Sequence, residues 1–195
     1  MDLGQWLVIG FCALLLVWFI CGAAINYRRA GVVLEWLKAG MSELGELGVT
    51  GWMTALHSAA KLTIHEVRPP FRAVELFFVL EARENLLVWA LRHALGRRDE
   101  LYVRAELRSA PPADLEAVYK VRRANPVEHY DITYAGEKGE VLSGKLKQFL
   151  AAYAEAILKF TLRRKSPHVF IRINLDRLRT GETGPFFTAL RTFLG

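Results

Sequence analysis

The chain has 195 residues, 26 basic and 20 acidic side chains, a net charge of +6 and 52% apolar residues. That length bounds the answer to one soluble domain with an added segment or connector, and the apolar content with mixed charge excludes a disordered chain. Both cysteines, Cys12 and Cys21, lie in the first 25 residues, so the rest has neither a disulfide framework nor a cysteine-based metal site.

Residues 3–25 carry no charged side chain. As a helix they are about 35 Å long, enough to cross a hydrocarbon core of roughly 30 Å with some tilt. The tail before them is acidic (Asp2), and the apolar run is longer than that of a cleaved signal peptide, so an uncleaved anchor over residues 1–26 is expected. Arg28, Arg29 and Lys38 follow the run and no base precedes it. The positive-inside preference then puts the N-terminus outside the cell membrane and residues 27–195 in the cytoplasm. Arg28, Arg29 and Lys38 become candidate headgroup contacts at the membrane edge, and Trp6, Trp18 and Tyr27 candidate interfacial aromatics. Residues 27–195 hold 26 bases against 19 acids, a net +7 that suits a domain close to an anionic surface.

Residues 27–50 read as a connector. Val33, Trp36, Leu37, Met41 and Leu44 recur at helical spacing, which predicts an amphipathic helix. Gly40, Gly45, Gly48 and Gly51 then interrupt it, which predicts a hinge or turns with a domain boundary near residues 48–51.

A soluble domain is expected over residues 51–195. Residues 61–65 alternate and predict a strand, with 52–60 leading into it. Residues 71–81 show two mostly apolar faces, which favours a central strand while leaving a helix open. Residues 85–95 predict a short helix with Asn85 as N-cap and Gly96 beyond its end. Residues 101–108 are a clear strand, with Leu101, Val103, Ala105 and Leu107 on one side. Looser alternation suggests strands at 115–122 and 132–134, separated by a loop over 124–131. Residues 140–162 predict one long amphipathic helix through Leu142, Leu146, Phe149, Leu150, Tyr153, Ile157 and Phe160, closed by Arg163, Arg164 and Lys165. Residues 169–176 alternate as a second clear strand. After a loop at 180–183, Gly184 and Pro185 open a last helix. Strands in groups rather than strict alternation predict an α+β fold, a mixed or antiparallel sheet with helices packed on one face.

Little in this pattern carries chemistry. The five histidines have no HExxH or i,i+4 pair, and the glycines match neither a dinucleotide fingerprint nor a Walker loop. Neither metal nor cofactor is expected. The polar run 81–85 reads as a strand-to-helix turn with local ion pairing and a cap. Arg104, Arg108 and Arg172, with Tyr102 and Phe170 nearby, suggest a basic sheet face with stacking platforms, but no RNP-like motif accompanies them, so nucleic acid is the least favoured partner. Three functions follow in order: a membrane-anchored accessory, scaffolding or assembly protein that contacts lipid and either another protein or a second copy; a membrane-tethered enzyme or ligand-binding domain with a pocket on the open sheet face lined by His65, Arg104 and Arg172; and a basic domain that binds anionic lipid or nucleic acid.

Overall fold

The computed structural model describes residues 2–54, 56–120, 129–136, 138–178 and 183–195. It opens on helix α1 (Leu3–Met41), 39 residues without a break. Asp2 caps it. Its carboxylate accepts from the Gln5 amide at 2.8 Å, while the Gln5 side chain accepts from the Asp2 amide at 3.1 Å. This reciprocal box satisfies N–H groups that an apolar end would leave bare.

Eight strands follow among the described residues: β1 (Glu46–Trp52), β2 (Ala59–His65), β3 (Phe71–Val79), β4 (Glu100–Leu107), β5 (Asp114–Tyr119), β6 (Tyr130–Ala135), β7 (Ile157–Leu162) and β8 (Val169–Asn174). Helix α2 (Leu86–Ala94) joins β3 to β4, α3 (Gly139–Ala152) lies between β6 and β7, and α4 (Thr183–Leu194) ends the chain. The strands form one sheet in the order β1-β2-β3-β4-β8-β7-β5-β6, and every pairing is antiparallel. The fold is α+β, as the grouped strands predict.

One face of the sheet is buried. Leu62, Leu76, Phe78, Leu101, Val103, Ile171, Phe160 and Leu115 point into a single core. Helices α1, α3 and α4 cover it with Leu37, Met41, Leu146, Leu150, Phe186 and Leu190. Of the expected segment 71–81, residues 71–79 form a strand, because β3 pairs on both edges and its even-numbered residues from Val74 to Phe78 reach the core.

The structure corrects three expectations. Of the glycines after residue 39, Gly45 does lie in a turn, at residues 42–45 between α1 and β1, but Gly40 and Gly48 mark neither hinge nor turn. Gly40 is buried inside α1, where an added Cβ would lie 2.5 Å from Thr183 Cβ, and Gly48 lies in edge strand β1, where a Cβ would meet the His65 ring at 2.4 Å. Close approach, not freedom, explains them. The lead-in at 52–60 likewise divides, with Trp52 ending β1 and Ala59 opening β2.

The third correction is larger. No helix runs over 140–162. Helix α3 stops at Ala152, and Ile157–Leu162 is strand β7 between β5 and β8. The Tyr130 hydroxyl, 2.6 Å from Ala154 O and 2.8 Å from Ile157 O, ties down the turn between them. Ile157 and Phe160 fit a helical stripe by spacing alone, but a short apolar run fits a buried strand equally well. Arg163, Arg164 and Lys165 therefore follow a strand, and the Arg164 amide donates to Asp114 at 2.7 Å. Most of the loop expected over 124–131, the end of the strand expected to reach residue 122, and residues 180–182 of the last loop lie outside the described residues.

Candidate functional site

The two halves of α1 differ. Residues 3–17 are exposed throughout and form the start of a helix long and apolar enough to cross a membrane. From Gly22 onward, the stripe Gly22, Asn26, Ala30, Val33, Leu37 and Met41 is buried against the domain. The join is a densely bonded polar site.

At its centre is Asp99, fully buried just before β4. Its carboxylate takes four donors: Arg83 twice at 3.0 and 3.1 Å, the Glu81 amide at 2.8 Å and Arg29 Nε at 2.5 Å. Burial pushes the Asp99 carboxyl upward, but the bonds from Arg83, the Glu81 amide and Arg29 outweigh it and hold it below the ordinary aspartate value. Arg29 also bonds Asp176, reaching from α1 to the segment after β8. Burial and the nearby Asp99 charge raise the Asp176 carboxyl.

Asn26, one turn before Ala30, donates to Glu81 O at 2.9 Å and to the Glu84 carboxylate at 2.8 Å, and accepts from Arg83 at 3.1 Å. The buried Glu81 carboxylate accepts from Trp89 Nε1 at 2.8 Å and lies 3.2 Å from His93 Nδ1, both on α2. Trp18 Nε1 donates to Arg83 O at 2.9 Å, and the Trp18 and Trp89 rings are 5.5 Å apart. Gly22 permits the contact, since a Cβ there would sit 2.2 Å from Arg83 O. The arrangement binds α1 to three segments of the domain at once. Its acids are occupied by donors from the same chain, so it holds geometry rather than supplying a base.

Gly22→Val follows directly as a test. The added atoms have no room beside the Arg83 carbonyl, and overpacking of this kind costs about 1–3 kcal/mol. Hydrogen exchange should show faster opening of residues 81–85 while the β7–β8 pair stays protected. Unchanged protection at 81–85 would show that the close approach does not hold the join.

The residues singled out from the sequence fall in different places. Arg29 belongs to the Asp99 cluster, and Trp18 to the same join, whereas Arg28, Trp6 and Tyr27 are exposed on α1. Tyr27 meets the His57 ring edge-on at 5.3 Å. Lys38 is exposed ten residues beyond Arg28, about 15 Å farther along the helix. His65, Arg104 and Arg172 all face the open side of the sheet, but on β2, β4 and β8. Arg172 donates to Glu100, Arg104 lines a shallow hollow with Glu75 and Glu106, and His65 lies against Gly48. The register places them across three interstrand steps, not in one cleft.

That open face is mixed in polarity, and hollows open on it beside Glu116, Thr161, Arg163 and Phe170. Phe77 and Tyr102 stack at 4.5 Å, with Phe170 6.0 Å from Tyr102. Lys61–Glu75 at 2.8 Å and Lys159–Glu116 at 2.5 Å flank the aromatics. Among the described residues, no group of three or more His, Cys, Asp or Glu side chains is placed to hold a metal ion.

No protein-family model matches the chain, and no curated protein is similar enough to count as a relative.

Proposed function

We propose that this protein is a single-pass membrane-anchored accessory, scaffolding or assembly protein. The apolar start of α1 spans the cell membrane with its N-terminus outside. The α+β domain sits in the cytoplasm and uses its open sheet face to contact another protein or a second copy. One observation carries this reading: α1 runs without a break from a fully exposed apolar segment into the domain core, and the Asp99 cluster locks it there. A flexible tether suits a domain that searches for soluble substrate. A rigid strut suits one that must present a surface at fixed height and orientation above the bilayer. The open face with the Phe77–Tyr102 stack is the surface so presented.

The test is cross-linking and native mass measurement of the full chain extracted in mild detergent. A species heavier than one chain, from a co-purifying protein or a second copy, is expected, and Tyr102→Asp should abolish it. A strictly monomeric protein with no companion overturns the proposal.

A further inference from the structure

Helix α2 is unlike the other helices, because none of its residues is buried. Leu87, Leu91 and Leu95 recur every four residues and are 77%, 64% and 71% exposed. On a helical wheel, Ala90, Ala94, Leu87, Leu91, Leu95 and Val88 form one unbroken apolar arc of about 160°. Trp89 and His93 face the other way and bond Glu81, which fixes α2 with its apolar arc outward. Arg92 and Arg97 are exposed beside the arc and beyond its end. A contiguous leucine stripe of this kind marks an interaction surface.

Its position names the partner. A hollow lined by Leu15, Trp18, Phe19, Glu84, Asn85, Leu86 and Leu87 joins the start of α2 to the exposed apolar side of α1, and the Glu84 carboxylate there accepts from Asn26 at 2.8 Å. Residues 3–17, exposed all round, measure about 22 Å along the axis. A hydrocarbon core of roughly 30 Å needs about 8 Å more. That remainder lies where Trp18 to Gly22 have one side against residues 83–89 and the other side open. Leu87 is therefore level with the last apolar turns of α1, where acyl chains give way to headgroups.

We infer that α2 is a second membrane contact: an interfacial helix whose Leu87, Leu91 and Leu95 enter the acyl boundary of the cytoplasmic leaflet, with Arg92 and Arg97 toward anionic lipid headgroups. The inference rests on α1 spanning the bilayer. The lipid surface is the occupant because the arc is continuous with the apolar side of α1 and is rimmed by bases. Two attachments would fix the tilt and rotation of the domain, which one helix alone leaves free.

The experiment uses the full chain with Cys12→Ala and Cys21→Ala, so that a single new cysteine carries an environment-sensitive fluorophore. Leu91→Cys is compared with Leu14→Cys in α1 and Arg104→Cys on the open sheet face. The protein is reconstituted in phosphatidylcholine–phosphatidylglycerol vesicles that carry doxyl groups on the acyl chains. The label at Leu91 should lose emission about as strongly as that at Leu14, and the label at Arg104 should not. Quenching at Leu14 with an aqueous, iodide-accessible label at Leu91 overturns the inference and leaves the anchor standing. A shielded label at Leu91 that doxyl lipid does not quench also overturns it, because a protein surface then covers α2. Absence of lipid quenching at Leu14 removes the anchor itself, and the inference with it.

Discussion

Asp99→Ala is expected to lower the unfolding free energy of the full chain by about 3–5 kcal/mol, the scale for breaking a buried ion pair by removing one partner. The carboxylate is fully buried and has four donors, two of them from one guanidinium in a forked arrangement. Its removal strands Arg83 and leaves the Glu81 amide unpaired inside the fold. Asp99→Asn keeps the shape and part of the bonding but not the charge, so a smaller loss is expected. Denaturant unfolding in detergent micelles, followed by tryptophan emission, measures both, because Trp18 and Trp89 lie at the join. A loss under about 1 kcal/mol would place the cluster with ordinary surface pairs and remove its role as a clamp.

The same residue sets a pH dependence. The folded-state value of Asp99 is depressed below 3.8, so its stabilisation is fully present above pH 3.8 and is lost as pH falls through the folded value. Asp176 has the opposite sign. Its folded value is raised, so its ionised form opposes folding, and protonation removes that opposition before Asp99 begins to titrate. Stability of the wild type should therefore fall steeply only below pH 3.8, and in Asp99→Asn that acid limb should flatten. An unchanged acid limb in the variant would assign the acid sensitivity to other carboxylates.

The sequence makes the ends of this arrangement legible and hides its middle. The apolar start of α1 and the alternation of β4 and β8 are visible because one local period sets each of them. The Asp99 cluster is not. Asn26, the pair Glu81 and Arg83, and Asp99 come from three segments, and each has a sufficient local explanation as a flank, turn or cap. Asn85 is such a case: it does cap α2, with its side chain accepting from the Val88 amide at 3.1 Å. The local ion pairing is present too, with Arg83 3.6 Å from the Glu81 carboxylate, but the same Arg83 reaches on to Asp99, and Glu81 O accepts from Asn26 on α1. One signal was available. Extending the stripe of Leu37, Val33 and Ala30 backward reaches Asn26 and then Gly22, an amide and a glycine on the buried side of a helix. A polar residue there must find a partner, and a glycine there marks a close approach. The helix at α2 was also visible, but only the fold shows that its leucines face out.

Phe160→Ala is the other substitution with a large expected effect, and it tests the element that spacing alone misassigns. In β7 the side chain is fully buried, with the Phe193 ring at 5.6 Å and the Phe149 ring at 6.1 Å. Truncation should cost about 3–5 kcal/mol through lost burial and the cavity left behind. Neighbouring positions discriminate further. In the strand Phe160 and Leu162 face the core, while Lys159 bonds Glu116 on the open face. A helix through the same residues would bring Phe160, but not Leu162, onto the stripe with Ile157 and Tyr153. Leu162→Ala should therefore be costly as well, by about 2–5 kcal/mol, whereas Lys159→Ala should change stability by less than about 1 kcal/mol. Chemical denaturation of the three variants reads this directly, and a Leu162→Ala change that costs nothing would contradict the strand.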